Sequence, residues 1–344
     1  MRAEPPFSHG SRNRTAVIWC NLGTPSSTST SDVRRYLKEF LSDQRVVEIP
    51  RIIWWFILNL IILTFRPKKS AAKYASIWTA EGSPLLVWTK KQAVLLQAKM
   101  IEQYGEENAP IVVFAMRYGD NSIDQALTDL QKKGVDKVLI LPAYPQYSAT
   151  TSASVFDAAY HWLLQSRNSP SLRTVKHYHD HPAYIQALAQ KMKAHWQQNG
   201  QAEKLVMSFH GVPERTLSLG DPYHCECYKT ARLLREALSL TTDQVLVTFQ
   251  SRLGRAKWLE PYTEPSLIEL AKKGLKKVDI VCPGFTSDCL ETLEEIAMEV
   301  KHAFLSNGGE QFNYISCLND DAVWIDAMTQ AQFHTLADLF AHLE

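Results

Sequence analysis

The chain has 344 residues, and its 37 Lys and Arg nearly cancel its 36 Asp and Glu, which leaves a formal charge of +1. This balance excludes recognition of nucleic acid through bulk charge, and the length is enough for two domains of ordinary size. The N-terminus carries Glu4 and two prolines without an apolar core, so it is not a secretory signal. We therefore expect a cytoplasmic protein whose six scattered cysteines stay as thiols.

Short apolar runs typical of buried strands alternate with amphipathic helices along the chain. The predicted strands are residues 15–23, 110–119, 137–145, 204–211, 244–251 and 277–285, and the clearest predicted helices are residues 122–134, 182–200 and 264–277. Alternation of this kind predicts parallel sheets with helices on both faces. Because the pattern runs twice, we predict an α/β protein with two Rossmann-like domains and an active-site cleft between them.

The domain bounds follow from the polar stretch 163–174, which separates the two sets of strands. We place an N-terminal domain at 15–168, a C-terminal domain at 172–323, and a helix at 324–344 that packs back on the first domain. Ligands of open parallel sheets bind beyond the carboxyl ends of the strands. The residues that follow each strand are therefore the candidates for chemistry, and they include neither glycine-rich fingerprint of nucleotide binding.

Residues 52–65 are far more apolar than the rest of the chain, with Asn59 and Thr64 as their only polar side chains. Fourteen residues fall short of the roughly 20 that a bilayer-spanning helix needs. The adjacent Trp54 and Trp55, and the basic residues that follow the run, suit a helix at a lipid headgroup boundary. Composition leaves open whether the run is such an interfacial helix or a helix buried between the domains.

The strand at 204–211 ends in His210, and Gly211 and Pro213 force a turn directly after it. One interpretation is a turn histidine bonded to a backbone carbonyl group. The other is a metal ligand or general base displayed at the carboxyl edge of a sheet. Neighbouring residues must decide between the two.

Four carboxylates follow the strand at 277–285, and their spacing places Asp288, Glu291, Glu295 and Glu299 on one helix face. Like charges at such spacing repel each other, so this face fits transient handling of a cation or of protons. A solvated acidic face is the alternative. His210 and Glu291 would then present an imidazole and a carboxylate from neighbouring strand ends. Such a pair binds a divalent transition metal weakly or removes protons from a substrate.

Aromatic side chains follow the other strands, with Tyr118, Tyr144 and Tyr147 in the first domain and Trp258 in the second. Arg117 is the single strong cation among the strand ends of the first domain. A large aromatic surface with few polar anchors describes a pocket for a flat apolar molecule that bears anionic groups.

Two other clusters superficially resemble metal sites. Cys225 and Cys227 form a lone Cys-x-Cys without the second pair that zinc or an iron–sulfur cluster needs. His177, His179 and His181 directly precede a predicted helix, which favours a surface turn.

Eight segments of the sequence match motifs of the ferrochelatase family, the enzymes that insert ferrous iron into protoporphyrin. They are NLGTP (21–25), YASIWTAEGSPL (74–85), MRYG (116–119), YPQYSATT (144–151), SFHGVPERT (208–216), GDPY (220–223), FQSRLGRAKWLEPYT (249–263) and CPGFTSDCLETLEEI (282–296). They occur in family order, so the chain from about residue 15 to 325 resembles a ferrochelatase.

The resemblance implies roles for particular residues. His210 stands at the family's active-site histidine, which accepts a pyrrole proton or ligates iron, and Glu291 stands at the carboxylate opposite it. Glu295 and Glu299, together with Asp288, would continue a path for metal or protons. The positions that match the family's macrocycle pocket are Leu22, Ser83, Arg117, Tyr118, Tyr223, Trp258 and Phe285.

The activity implied by the resemblance is insertion of Fe(II) into protoporphyrin IX to give protohaem, the terminal step of haem biosynthesis. Protoporphyrin IX and ferrous iron are the expected substrates, with no cofactor and no nucleic-acid partner. No iron–sulfur cluster of the family's C-terminal type is expected, because Cys317 is the last cysteine. Leu22 stands where other branches place tyrosine or methionine, which argues against the branch that acts on coproporphyrin.

Several alternatives stay open. One alternative is a different tetrapyrrole chelatase, directed to cobalt, nickel or coproporphyrin. Another is a carrier that binds porphyrin or haem without catalysing a reaction. Both a monomer and a homodimer are compatible with the sequence. Residues 52–65 are expected to form an amphipathic lip, with one face at the porphyrin entrance and the other available for peripheral contact with the inner face of the membrane.

Overall fold

The computed structural model describes residues 2, 4–6, 9–10, 14–252, 254 and 256–329. The described chain divides into two compact units. The first unit contains the residues up to Tyr144, then Ser148–His177 and residues 328–329, and the second contains Pro145–Tyr147 and Tyr178–Ala327. Of the helix predicted at 324–344, residues 324–329 are helical, and the remainder lies outside the described residues.

The first unit is built on a parallel four-stranded sheet with the strand order β2-β1-β3-β4. Its strands are β1 (Arg14–Thr24), β2 (Ile111–Gly119), β3 (Val135–Pro142) and β4 (Ser171–Thr174). Residues 16–20 of β1 have no exposed surface, as expected for a central strand covered on both faces. The edge strand β4 lies inside the polar stretch 163–174, which was predicted to separate the two domains. Its four residues alternate between exposed and half-buried, so they form no apolar run that would predict a strand.

Helices cover this sheet, and their first turns follow ordinary capping chemistry. The Ser29 side chain accepts a hydrogen bond from the Asp32 N–H, and the Ser122 side chain accepts one from the Gln125 N–H. The helical segments are Thr30–Ser42, Arg51–Phe56, Leu63–Ile77, Pro84–Tyr104, Ile123–Lys132 and Ser154–Leu163, with π-helical segments at Ile57–Ile62 and Ala149–Ala153.

The apolar residues 52–65 lie on a continuous helical stretch that begins at Arg51. Leu58 and Leu63 are buried, and the Trp54 indole N–H donates to the Leu41 carbonyl oxygen at 2.6 Å. The exposed large side chains of this stretch are Ile52, Ile53, Trp55, Phe56, Leu60, Ile61 and Phe65. The alternative of a wholly buried helix is therefore wrong. The described helices include none that is long and apolar enough to cross a membrane.

The second unit repeats the topology of the first, with the strand order β6-β5-β7-β8 and parallel pairing throughout. Its strands are β5 (Lys204–His210), β6 (Val245–Gln250), β7 (Lys277–Val281) and β8 (Gln311–Tyr314). The helical segments are Pro182–Asn199, Arg215–Ser218, Tyr223–Ala237, Thr263–Lys272 and Lys301–Ser306, a 3₁₀ turn at Thr242–Gln244 and a π-helix at Glu291–Val300. The predicted α/β class, with two parallel sheets flanked by helices, is confirmed.

Each sheet has one point at which the strand order reverses. The chain passes from the central strand to one side of the sheet and then crosses to the other, so the reversals lie between β1 and β3 and between β5 and β7. Ligands of open α/β sheets bind at the carboxyl ends of the strands beside such a point. The topology therefore directs attention to the residues after β5 and β7.

Gly23 in β1 provides a test of this packing. Its φ is +114°, and a Cβ atom there would lie 1.9 Å from the Tyr118 carbonyl oxygen. We expect Gly23→Ala to lower the free energy of unfolding by about 4 kcal/mol, because backbone strain and a clash combine. Gly105→Ala is the control, since its φ of +74° adds strain in open space, and it is expected to lose about 1 kcal/mol. Equal losses in urea denaturation would contradict this account.

Candidate active site

His210 ends β5 and pairs with Gln250, the last residue of β6, at the carboxyl edge of the sheet. The half-buried imidazole places Nδ1 2.6 Å from the Gly211 carbonyl oxygen. Because a carbonyl oxygen can only accept, Nδ1 carries the hydrogen in the neutral ring, and Nε2 keeps its lone pair. His210 is therefore a turn histidine bonded to a carbonyl group, and this bond leaves Nε2 available to a metal or a proton.

The backbone after His210 is held by a second loop. The Gly211 N–H donates to the Gln250 carbonyl oxygen at 2.7 Å. A Cβ atom on Gly211 would lie 2.9 Å from that oxygen and 3.2 Å from the Trp258 ring. Glycine is thus required here by close approach, and Trp258 packs directly against the residue that orients the imidazole.

The π-helix Glu291–Val300 carries the three glutamates predicted after β7. Its i→i+5 hydrogen bonding is rare and is found frequently at functional sites. Glu291 and Glu295 are half-buried and Glu299 is exposed, so carboxylates at four-residue intervals run from the interior to the surface. The start of the helix is fixed to the sheet, because the Gln250 side-chain amide donates to the Glu291 carbonyl oxygen at 2.8 Å.

Glu295 is bound through both of its carboxylate oxygens. The Ser251 N–H donates to Oε1 at 2.8 Å, and the Ser251 hydroxyl donates to Oε2. Burial raises the pKa of Glu295, the nearby Glu291 carboxylate raises it further, and the Ser251 hydroxyl and His210 act in the opposite direction. The structure therefore brings His210 and Glu291 each close enough to Glu295 to act on its carboxyl group, and a raised pKa lets that group keep a proton at higher pH than usual.

Asp288 is separated from the three glutamates. It lies before the π-helix, and its buried carboxylate accepts hydrogen bonds from the hydroxyls of Tyr314 and Thr292, the Cys317 N–H and the Asn319 side chain. The alignment of four carboxylates on one helix face that the sequence predicts thus holds for three. With both oxygens engaged, Asp288 ties the chain after β8 to the start of the helix.

Two aromatic residues of the second unit occupy different environments. The half-buried Phe285 follows β7, and its ring centroid lies 6.4 Å from that of His210 at an interplanar angle of 57°. Tyr223 is buried, and its hydroxyl would lie 3.7 Å from a Cβ atom on Gly284. Burial raises the pKa of Tyr223 well above its usual value, so the phenol stays protonated. Phe285 is therefore an accessible ring beside the imidazole, whereas Tyr223 supports the turn after β7.

Four predicted site residues of the first unit lie at the carboxyl edge of its sheet. Leu22 is half-buried near the end of β1, and the buried Ser83 accepts a hydrogen bond from the Thr24 hydroxyl at 2.8 Å. Arg117 and Tyr118 lie at the end of β2, which pairs with this part of β1. The structure thus gathers them at one edge of the sheet. The strand ends predicted this for Leu22, Arg117 and Tyr118, whereas Ser83, which precedes the helix Pro84–Tyr104, was assigned only through the family resemblance.

Arg117 and Tyr118 belong to a hydrogen-bonded cluster around Asp43. The Asp43 Oδ2 atom accepts from Arg117 Nη2 and from the Tyr118 hydroxyl at 2.7 Å each, and from the Ser154 hydroxyl. Burial opposes ionisation of Asp43, but these hydrogen bonds and the Arg117 charge outweigh it and lower the pKa of the carboxyl. The arginine predicted as an anchor for an anionic ligand is therefore already paired with a carboxylate.

Sequence reasoning missed Gln250 and Ser251. The buried Gln250 side chain accepts from the Ser208 hydroxyl at 2.7 Å and from the Cys282 thiol at 3.5 Å, and it donates to the Glu291 carbonyl oxygen. One amide thus joins the ends of three neighbouring strands to the π-helix. The signal was present, because both residues are polar and end a predicted strand, which is the argument that singled out His210.

The histidine cluster at 177–181 only partly follows its predicted surface turn. His177 is exposed, and His181 caps the helix Pro182–Asn199 by accepting from the Ala183 N–H at 3.3 Å. His179 is buried, with Nδ1 3.3 Å from the Glu226 carboxylate, so the surface assignment is wrong for this residue.

Known proteins share the fold described above. The solved structure of CbiX, the terminal enzyme for biosynthesis of siroheme in denitrifying bacteria, superposes with a TM-score of 0.50 at 12% identity, covering 92% of this chain and 97% of that one. At this identity the likeness concerns the fold alone. The chain is thus an α/β protein of the class that includes CbiX.

Sequence comparison identifies the family. The ferrochelatase family profile matches residues 14–335. The ferrochelatase of Janthinobacterium sp. (strain Marseille) is 61% identical over 331 residues, 96% of this chain and 89% of the relative. That of Polaromonas sp. (strain JS666) is 60% identical over 339 residues, 97% and 91% of the two chains. The chain belongs to the ferrochelatase family.

The Asp43 cluster gives a pH-dependent prediction. Because the folded pKa of Asp43 lies below its ordinary value of 3.8, the stabilisation is complete above that value and is lost as the pH falls through the folded pKa. Asp43→Asn should therefore lower the free energy of unfolding by a constant amount between about pH 5 and 7, and by less below about pH 3.8. Denaturation across this range measures the difference, and a loss that stays constant into strong acid would contradict the assignment.

Proposed function

We propose that this enzyme inserts Fe(II) into protoporphyrin IX to give protohaem and two protons, the terminal step of haem biosynthesis. The observation that carries the proposal is the His210 Nε2 lone pair beside two half-buried carboxylates, in a chain of the ferrochelatase family. Metal insertion requires a base for the pyrrole protons and weak, exchangeable metal ligands. An imidazole and carboxylates supply both, whereas thiolates would hold the ion too tightly.

The proposed sequence of proton transfers begins at the porphyrin. His210 accepts a pyrrole proton at Nε2, while its Nδ1–H stays bonded to the Gly211 carbonyl oxygen. The nitrogen electron pair left on the pyrrole then binds Fe(II). His210 and Glu291 are also the proposed ligands of the incoming ion, and His210 Nε2 binds iron only while it carries no proton. Glu291 stabilises the imidazolium, and Glu295 and the exposed Glu299 lead protons or metal along the helix to the surface. In this scheme Asp288 supports the helix start.

The residues proposed to contact porphyrin are Leu22, Ser83, Arg117, Tyr118, Tyr223, Trp258 and Phe285. Phe285 is best supported, because its partly exposed ring lies beside the imidazole. Arg117 lines a cavity of about 580 Å³, but it is paired with Asp43, and the wall carries three carboxylates beside its three arginines. Its proposed contact with a porphyrin carboxylate therefore rests on the match to the family's motif rather than on the charge of this cavity. The two buried tyrosines would act by supporting these neighbours.

We propose that the reaction proceeds without an iron–sulfur cluster, a redox cofactor or a nucleotide. A cluster is held by four cysteine thiolates. Of the six cysteines only Cys225 is exposed, and the described residues contain no group of three cysteines within ligand distance of one another. Iron enters this scheme as a substrate.

We also propose that the protein works in the cytoplasm, with peripheral contact to the membrane through residues 52–65. The exposed apolar face of this helical stretch is followed by basic residues, the pattern of an interfacial helix. Its buried residues and the Trp54 hydrogen bond fasten it to the first unit. Protoporphyrin is flat and apolar, so a face at the bilayer surface would receive it where it dissolves.

His210→Ala tests the chemistry. The variant should bind protoporphyrin as the wild type does, while kcat for anaerobic Fe(II) insertion falls by about 10²–10⁴, because the base is lost. His302→Ala, which removes an exposed histidine of the same unit, is the matched control and should keep full activity.

The same assay separates the alternatives. Full metallation by His210→Ala would remove this histidine from the mechanism. A wild-type preference for cobalt or nickel and another ring would indicate a different chelatase, and binding without metallation would indicate a carrier.

The membrane contact is tested by replacing exposed side chains of the apolar stretch. Serine at Trp55, Phe56 and Ile61 should weaken association with liposomes by about tenfold and raise the KM for porphyrin, because apolar surface is lost. Trp54 is left intact, since its hydrogen bond is part of the packing.

The matched control carries serine at Val94, Ile101 and Leu164, three exposed apolar residues elsewhere in the first unit. It should bind liposomes as the wild type does. Unchanged liposome binding and KM in the first variant, or an equal loss in the control, would contradict the proposed contact.

A further inference from the structure

A single residue after β6 supplies both donors that hold the Glu295 carboxylate. The Ser251 N–H lies 2.8 Å from Oε1, and the Ser251 hydroxyl donates to Oε2. Two donors on one residue fix the position of a carboxylate and also its rotation. Glu295 is therefore held in one orientation beside His210 and Glu291, where its neighbours on the helix alone would leave it free to turn.

The backbone of Ser251 has a strained conformation that directs both of its donors to Glu295. Its φ is +61°, in the left-handed region that non-glycine residues seldom occupy. Such strain is concentrated at functional sites. Gln250, the residue before it, is fixed on one side by pairing with His210 and on the other by its bond to the Glu291 carbonyl oxygen. The turn of the chain at Ser251 thus starts from a rigid strand end and faces the π-helix.

The charges around Glu295 explain why its carboxylate needs hydrogen-bond donors. Glu291 lies four residues before it and Glu299 four residues after it on the same helix, and like charges at this spacing repel each other. Burial also disfavours the ionised carboxylate. Two hydrogen bonds from Ser251 offset part of both effects and hold the carboxylate against the end of β6.

We propose that Ser251 is a positioning residue for metal insertion, which holds Glu295 in the orientation that carries protons from His210 and Glu291 toward Glu299. The inference rests on the function proposed above. The proton leaves the pyrrole nitrogen for His210 Nε2 and then passes to a Glu295 oxygen, while the pyrrole electron pair remains for Fe(II). Ser251 gives up no proton in these steps, because its N–H and O–H only orient the acceptor.

Ser251→Gly tests the role with little disturbance of the backbone. Glycine adopts a positive φ freely and keeps the N–H donor, so only the hydroxyl is lost. We expect kcat to fall by about tenfold with the porphyrin KM unchanged, because one of two charge-assisted hydrogen bonds is removed. Ser251→Asn, which also tolerates this conformation and retains a side-chain donor, should recover part of the loss.

Ser239→Gly is the matched control. Ser239 has a φ of +56° and is exposed in the same unit, so the substitution makes the same chemical change at a similar backbone. Its kcat should equal that of the wild type. A Ser251→Gly enzyme with wild-type kcat would overturn the proposal.

A double-mutant cycle separates positioning from general stabilisation. If Ser251 acts through Glu295, Ser251→Gly should have almost no further effect on kcat in a Glu295→Gln background. Effects that multiply would show that the two residues act independently, and would also overturn the proposal.

The same cycle measured by urea denaturation does not depend on activity. A coupling between Ser251 and Glu295 is expected in the free energy of unfolding. Its absence would show that the two hydrogen bonds do not hold Glu295, and would overturn the proposal. A wild-type enzyme that fails to metallate protoporphyrin would refute the proposed function instead, whatever this coupling shows.

Discussion

The hydrogen bond between His210 Nδ1 and the Gly211 carbonyl oxygen decides what the second unit can do. It assigns the ring hydrogen to Nδ1 and leaves the lone pair at Nε2, so the imidazole is ready to accept a proton or to bind a metal. The bond is available only because the chain turns sharply at Gly211, where the Gln250 carbonyl oxygen and the Trp258 ring leave no room for a side chain. Close packing at Gly211 thus determines which ring nitrogen of His210 keeps its lone pair.

The end of β6 holds the glutamates of the π-helix in place. Gln250 and Ser251 are adjacent, and between them they bind the Glu291 backbone and the Glu295 carboxylate. The π-helix is therefore attached to the same strand end that pairs with His210, so the imidazole and the carboxylates share one support. Support of this kind matters for proton transfer, which requires heavy atoms within hydrogen-bond reach.

The strand ends could be predicted from sequence, because a long apolar run followed by polar residues is a clear pattern. That pattern placed His210, Glu291 and Arg117 at the sheet edges where the structure has them. The edge strands β4 and β8 escaped notice, since four-residue strands that are partly exposed leave no apolar run. Asp288 was placed by α-helical spacing, but the helix begins after it and its oxygens are taken by side chains distant in sequence. Likewise Asp43 is far from Arg117 in sequence, so the pairing that neutralises this arginine depends on tertiary structure.

The central claim is that His210 and the glutamates behind it remove protons as iron enters the ring. The most direct measurement adds Fe(II) anaerobically to the purified protein with protoporphyrin, and follows porphyrin fluorescence together with a pH indicator. The account predicts loss of fluorescence with release of two protons for each porphyrin converted, at rates far above those of His210→Ala. Quenching without proton release would show binding without metallation and would contradict the account.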